Sequence, residues 1–286
     1  MKKSKLMIAI LTIFSITLAI TPAAIPQVGV YEFHGTPGAV KILQVKTANN
    51  GSLGKIFGPG YATVLETAFG AGCLVEGAKK KSLVTAVNFS AKFDASAQVF
   101  PVFGLPLYDA ALYNTSNWDW TTGAISTTPD SVGDVVISFY APADLITYIN
   151  TFYTTYFATP YNISLHTAGA YFAQLPTNVE QYLGAMIWEP KWENFGNTIV
   201  HHAVAGDFNV PLYTFQYVEN CTETWTYDTT YGAWIGYKIE ANATTVYEFS
   251  IFLAVGIPGF DFSITLEVTM VGIIGIIFVL MKKKKI

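Results

Sequence analysis

Few residues in this chain of 286 have the type and spacing to do chemistry. Histidine occurs at His34, His166, His201 and His202. His201 and His202, with Asp207 a short way on, offer the nitrogen and oxygen donors of a metal site. Adjacent residues of a strand project to opposite faces, however, so the pair cannot easily converge on one ion. The expectation is one exposed histidine and one satisfied in the core. A Ser-His-acid triad needs one of the four histidines beside a serine and a carboxylate, which spacing alone does not supply. Gly-x-Ser-x-Gly, His-Glu-x-x-His, a Walker loop, a dinucleotide fingerprint and a calcium loop are all missing from the sequence. No catalytic residue, metal site or cofactor is therefore assigned. The chain reads as something other than an enzyme, with a secreted hydrolase ranked third among its functions. Trp118, Asp119 and Trp120, and the pair Trp188 and Trp192, have the ring chemistry to stack on sugars, although aromatics more often cover a core.

The composition says where such residues are displayed. The chain is 51% hydrophobic but only 13% charged, with a mean hydropathy of +0.37; an ordinary soluble domain is roughly 25% charged. Part of the apolar content belongs to the two ends. Met1 to Lys5 carry three lysines, and the apolar run Leu6 to Ile20 is followed by Thr21, Pro22, Ala23 and Ala24. That order predicts a signal peptide over residues 1–24, cleaved near Ala23 or Ala24. Residues 262–281 are long enough to span a bilayer, interrupted only by Glu267 in their outer part. Lys282, Lys283, Lys284 and Lys285 then stop the span on the cytoplasmic side, which puts residues 25–257 outside. The predicted localisation is the cell membrane, single-pass, with the C-terminus inside and the lipid bilayer as one partner.

Pro258, Gly259 and Phe260 stand just before this span, giving the order short motif, apolar helix, basic tail. The arrangement resembles the tripartite C-terminal sorting signal of archaeal cell-surface proteins, named for its Pro-Gly-Phe motif. The resemblance covers about the last thirty residues. It implies a membrane sorting enzyme as partner, removal of the helix and attachment to a lipid. The Thr-rich spacer often found before that motif is absent here, and permanent anchoring by the intact helix stays open beside it.

All sixteen basic residues are lysines, and nine of them stand against eighteen acids between residues 25 and 257, so the exterior part is acidic. Without arginine the bidentate fork that favours phosphate and guanine is missing, and no nucleic-acid partner is expected. Lys79, Lys80 and Lys81, the one basic run of this part, read as a solvated hairpin tip. Asn-x-Ser/Thr acceptors occur at Asn50, Asn88, Asn114, Asn162, Asn220 and Asn242, where composition alone would place about two. The expectation is a glycosylated exterior served by glycosylation machinery. In such an exported chain Cys73 and Cys221 most simply form one disulfide across a loop of about 150 residues, the alternative being two buried thiols.

The elements that must position these residues are mostly strands. Leu83, Thr85, Val87, Phe89, Ala91 and Phe93 alternate with polar residues, as do Ile235, Tyr237, Ile239 and Ala241, continued by Tyr247, Phe249, Ile251 and Leu253. Asp228 to Gly232 carries turn chemistry, with Gly232 suited to a positive φ. Residues 198–253 therefore predict a meander of four or five strands. Leu145, Ile149, Phe152 and Tyr156 predict a helix over residues 143–157. Thr177 to Trp188 predicts a second, opened by a Thr177-Asn178-Val179-Glu180 capping box. The fold class is α+β, mainly β: antiparallel meander sheets with two short helices between the signal and transmembrane helices. Residues 25–257 form either two lobes with a break near 142–197 or one curved sheet covered by helices, and residues 258–286 form the anchor. The leading function is a glycosylated, membrane-anchored surface protein with a binding or envelope role through a surface protein partner. The alternative is a carrier whose curved, Phe- and Tyr-rich sheet encloses an apolar ligand.

Overall fold

The computed structural model describes residues 31–94, 107–157, 162–210 and 213–255. The signal peptide, the Pro258-Gly259-Phe260 motif, the span over 262–281 with Glu267, and Lys282 to Lys285 lie outside the described residues. Among the described residues no helix is long and apolar enough to cross a membrane.

Nine strands form one antiparallel sheet in the order β4-β3-β2-β1-β11-β10-β9-β6-β5. They are β1 (Val40–Ala48), β2 (Lys79–Asp94), β3 (Leu107–Thr121), β4 (Ser131–Phe139), β5 (Trp192–Phe195), β6 (Thr198–Ala203), β9 (Cys221–Tyr227), β10 (Trp234–Ala241) and β11 (Thr244–Val255). β7 (Phe208–Val210) and β8 (Tyr213–Gln216) pair separately as a small hairpin. The predicted C-terminal meander is present as β6, β9, β10 and β11, neighbours in the sheet, with that hairpin inserted. The N-terminal meander β1 to β4 joins it through β1 against β11, where Val40 faces Val255 and Ala48 faces Tyr247. One sheet thus runs through both halves. Register shifts in the β1–β11, β2–β3, β3–β4, β9–β10 and β10–β11 ladders bend it.

Helices pack against this sheet: α1 (Asn50–Phe57), α2 (Tyr61–Phe69), α3 (Pro142–Phe157), α4 (Leu165–Ala168) and α5 (Val179–Gly184), with a 3-10 turn at Gly169–Phe172. α1 starts because the Asn49 side chain accepts from the Ser52 amide at 3.0 Å, and it buries Leu53, Ile56 and Phe57. α3 covers the predicted range with Pro142 in its first turn, and Leu145, Tyr148 and Ile149 enter the core. The side chains of Phe152 and Tyr156 lie outside the described residues.

Three expectations are corrected. The second predicted helix is only Val179–Gly184, and its N-cap is Asn178 without a side-chain bond. The Thr177 amide is spent on the Glu32 carbonyl at 2.8 Å, and Ile187 and Glu189 are drawn away to bond Ile163, so neither end extends. Lys79, Lys80 and Lys81 are no hairpin tip but the first residues of β2, opposite Gln44, Leu43 and Ile42 of β1. The turn before them is made instead by glycines with positive φ, Gly70, Gly72 and Gly77. Cys73 and Cys221 are both buried and unbonded. The Cys73 carbonyl receives Tyr247 Oη of β11 at 2.8 Å, while Cys221 opens β9, and β10 lies between those two strands.

Candidate functional site

Two places in the fold concentrate chemistry. The first is a trough on one face of the sheet, a cavity of about 270 Å³. Period-two alternation builds its floor. Lys41 of β1 stands opposite Ser82 of β2, which stands opposite Asn117 of β3. One row along, Leu43 is opposite Lys80. Further along, Val84 is opposite Thr115, which is opposite Asp134 of β4. Phe69, Trp120, Trp234 and Phe249 make the apolar wall, and His34, Gln174 and Tyr231 close over it. At the rim Asn117 Nδ2 donates to Asp134 Oδ2 at 2.7 Å, and the Ser131 hydroxyl donates to the same oxygen. Both bonds hold the Asp134 carboxyl below its usual range.

The two lysines decide what this trough can do. Lys41 Nζ donates to the Trp234 carbonyl at 3.1 Å and Lys80 Nζ to the Phe69 carbonyl at 2.7 Å. Burial, with the like charge of Lys80 adding to it, lowers Lys41 to about 8. Burial also lowers Lys80, opposed by Asp119, Cys73 and Asp134. Each ammonium has three protons to donate. Asp119 and Asp134 supply counter-charge to Lys80, and Asp134 lines the same cavity, whereas no acid of the described residues pairs with Lys41. The closing hairpin is sharply specified. Gly232 has φ +69°, and a Cβ there would sit 1.9 Å from the Leu175 carbonyl oxygen. Its own carbonyl receives the Leu175 amide at 2.8 Å.

The second place is a closed centre around Glu223, which is 2% exposed. Tyr237 Oη donates to Oε1 at 2.6 Å and Tyr217 Oη to Oε2 at 2.8 Å. His201 Nδ1 lies 2.8 Å, and His166 Nε2 3.3 Å, from Oε2. Burial alone raises this carboxyl, but the His166 and His201 charges and hydrogen bonds outweigh it and hold the group far below the carboxylate range. Burial first, then Glu223 itself, keeps the Tyr237 phenol protonated as a donor. Trp192 stacks on the His201 ring at 4.4 Å and 11°, and Trp192 and Trp225 flank His166.

The sequence-predicted residues distribute as follows. His201 is buried and His202 faces out beside Glu193, opposite faces as expected. Asp207 joins neither histidine in an ion pair but pairs with Lys191 at 2.7 Å. Trp118, Trp120 and Trp192 are buried, so they serve as core and not as sugar platforms. Trp120 Nε1 donates to the Phe69 carbonyl at 2.8 Å, and Trp188 Nε1 to the Leu183 carbonyl at 3.2 Å. Lys79 and Lys81, on the face opposite Lys80, lie over the rings of Phe252 and Trp118 at 4.0 and 3.9 Å. All six acceptor asparagines are exposed: Asn50, Asn88, Asn114, Asn162, Asn220 and Asn242. Burial raises the Cys73 thiol to about 11 and raises Cys221 further, so both are protonated and unreactive. Sequence reasoning missed Lys41, Lys80, Glu223, Tyr217 and Tyr237. No protein family matches the chain, and no curated protein or solved structure matches it either.

Proposed function

We propose that the chain is an exported, N-glycosylated surface protein held to the membrane by its C-terminal segment, and that its task outside is to bind an apolar ligand carrying an acidic head group. The observation that carries the reading is the trough, where Lys41 and Lys80 line a largely apolar cavity walled by Phe69, Trp234 and Phe249, with Asp134 at its rim. Its volume equals that of about nine liquid waters, the lower end of the range for small-molecule pockets. A short acyl chain lies along the aromatic wall while its carboxylate completes the two ammonium groups. The signal peptide, the span and the sorting motif support the location, and the exposure of every acceptor asparagine fits a glycan coat.

Titration of full-length protein with decanoic acid and, separately, its methyl ester tests this. The acid binds and the ester binds weakly or not at all; equal binding of the two, or of neither, removes the reading. A second reading, an envelope role through lateral strand pairing, draws on edge strand β4, where Val132 and Val135 are 71% and 52% exposed. Crosslinking of β4 to β4 on intact cells distinguishes it.

A further inference from the structure

Independently of the trough, the closed centre holds a constellation that its surroundings do not explain as packing alone. His166 comes from α4, His201 from β6 and Glu223 from β9. One ligand atom from each lies within 4.8 Å of the others. The bonding around the carboxylate is lopsided. Oε2 meets Tyr217, His201 and His166 together, whereas Oε1 meets Tyr237 alone. Three donors crowd one oxygen that has two in-plane lone pairs, and no lysine pairs with Glu223 in this centre. A cation at that point uses the same atoms better, since the imidazole nitrogens and the carboxylate oxygen then all act as electron-pair donors.

We propose that His166 Nε2, His201 Nδ1 and Glu223 Oε2 form a binding site for a divalent first-row transition metal of the zinc type. Two imidazoles and one carboxylate are a donor set that zinc accepts, with bonds of about 2.0–2.2 Å and neighbouring donors about 3.3 Å apart in a tetrahedron. The two pairs that include Glu223 are already 2.8 and 3.3 Å apart. On binding, the His201–Glu223 pair opens by about 0.5 Å and the histidine donors, which lie within 4.8 Å of each other, draw together. The shell behind the donors is built as metal sites require: Tyr237 fixes the free carboxylate oxygen, and the Trp192 ring fixes the plane of His201. The fourth position falls to Tyr217 Oη or to water. His166, the most exposed of the three at 11% of its side chain, marks the side from which an ion enters. Binding displaces from the imidazole nitrogens any protons they carry, which pass to solvent.

The test uses full-length protein in detergent, stripped with chelator and titrated with zinc chloride, with bound metal counted by elemental analysis and its ligands read by X-ray absorption. One zinc per chain, with two imidazoles and oxygen in the absorption spectrum, is the expected result. His166→Ala lowers affinity by about 100-fold or more, Tyr217→Phe by about 10- to 100-fold, and His202→Ala leaves it unchanged. Stripped wild-type protein that takes up no zinc, or zinc whose spectrum lacks imidazole, overturns the proposal, and so does unchanged affinity in a folded His166→Ala protein. The wild-type spectrum decides the matter even where a variant fails to fold.

Discussion

The Glu223 centre and the lysine trough lie on the same sheet and treat buried charge in opposite ways. Around Glu223 four side chains from α4, β6, β10 and the segment before β9 converge on one carboxylate. In the trough Lys41 and Lys80 each donate to one backbone carbonyl, and Asp119 and Asp134 counter the charge of Lys80 only. At Glu223 the protein supplies hydrogen-bond donors that hold the charge before any ion arrives, whereas among the described residues no carboxylate pairs with Lys41, and its buried charge costs stability.

This contrast fixes the sign of substitutions at the two places. Glu223→Ala removes the acceptor for two phenols and two imidazoles, and should cost about 3–5 kcal/mol in chemical denaturation. A cost under about 1 kcal/mol would erase the distinction. Gly232→Ala, at the hairpin that closes the trough, forces a Cβ onto the Leu175 carbonyl at a positive φ. It should cost about 3 kcal/mol or more and abolish decanoate binding with it. Lys41→Met runs the other way. Removing a poorly solvated ammonium should raise stability by on the order of 1–2 kcal/mol while eliminating preference for the acid over its ester.

The pH dependence sharpens the same point. Lys41 titrates near 8 in the fold and near its ordinary 10.5 when unfolded. Between those values the unfolded chain binds more protons, so this lysine makes stability rise with pH across that window. Affinity for an acid ligand moves oppositely, falling as pH climbs through about 8, measured by titration from pH 6 to 10. The smallest effect concerns the cysteines. Because Cys73 and Cys221 are unbonded, reducing agent should leave the melting temperature unchanged, and a fall of several degrees would restore the disulfide.

Much of the architecture is legible locally. The 3.6-residue spacing between Pro142 and Pro160 gives α3, and the alternation of β9 to β11 gives the meander. The same alternation contains the clue to the closed centre. In Cys-Thr-Glu-Thr-Trp-Thr-Tyr, Glu223 keeps the inward phase of Cys221, Trp225 and Tyr227 while the threonines face away. An acid in the apolar phase of a strand is a buried acid, and it demands partners. Which partners is not readable, since His166 sits on a four-residue helix with no periodicity to place it. Lys41 is harder still, because Val40 and Ile42 on the outward phase are as apolar as Leu43 and Val45 on the inward one. The basic run misled for a similar reason. Three consecutive lysines look like a solvated turn, but as a strand they divide between two faces, one into the trough and two over aromatic rings. The pairing of β1 with β11 joins residues some two hundred positions apart, and no local pattern encodes it.

That pairing has a mechanical side. The chain leaves the described fold from β11, the fifth of nine strands, with β1 hydrogen-bonded on one flank and β10 on the other. A pull on residues beyond Val255 is therefore taken along the axis of a central strand, and loads both ladders in shear, many bonds at once. An edge strand under the same pull peels open one bond at a time. Under the proposed C-terminal anchor, the tension would pass through the middle of the sheet, where shear of two ladders resists more than peeling of one.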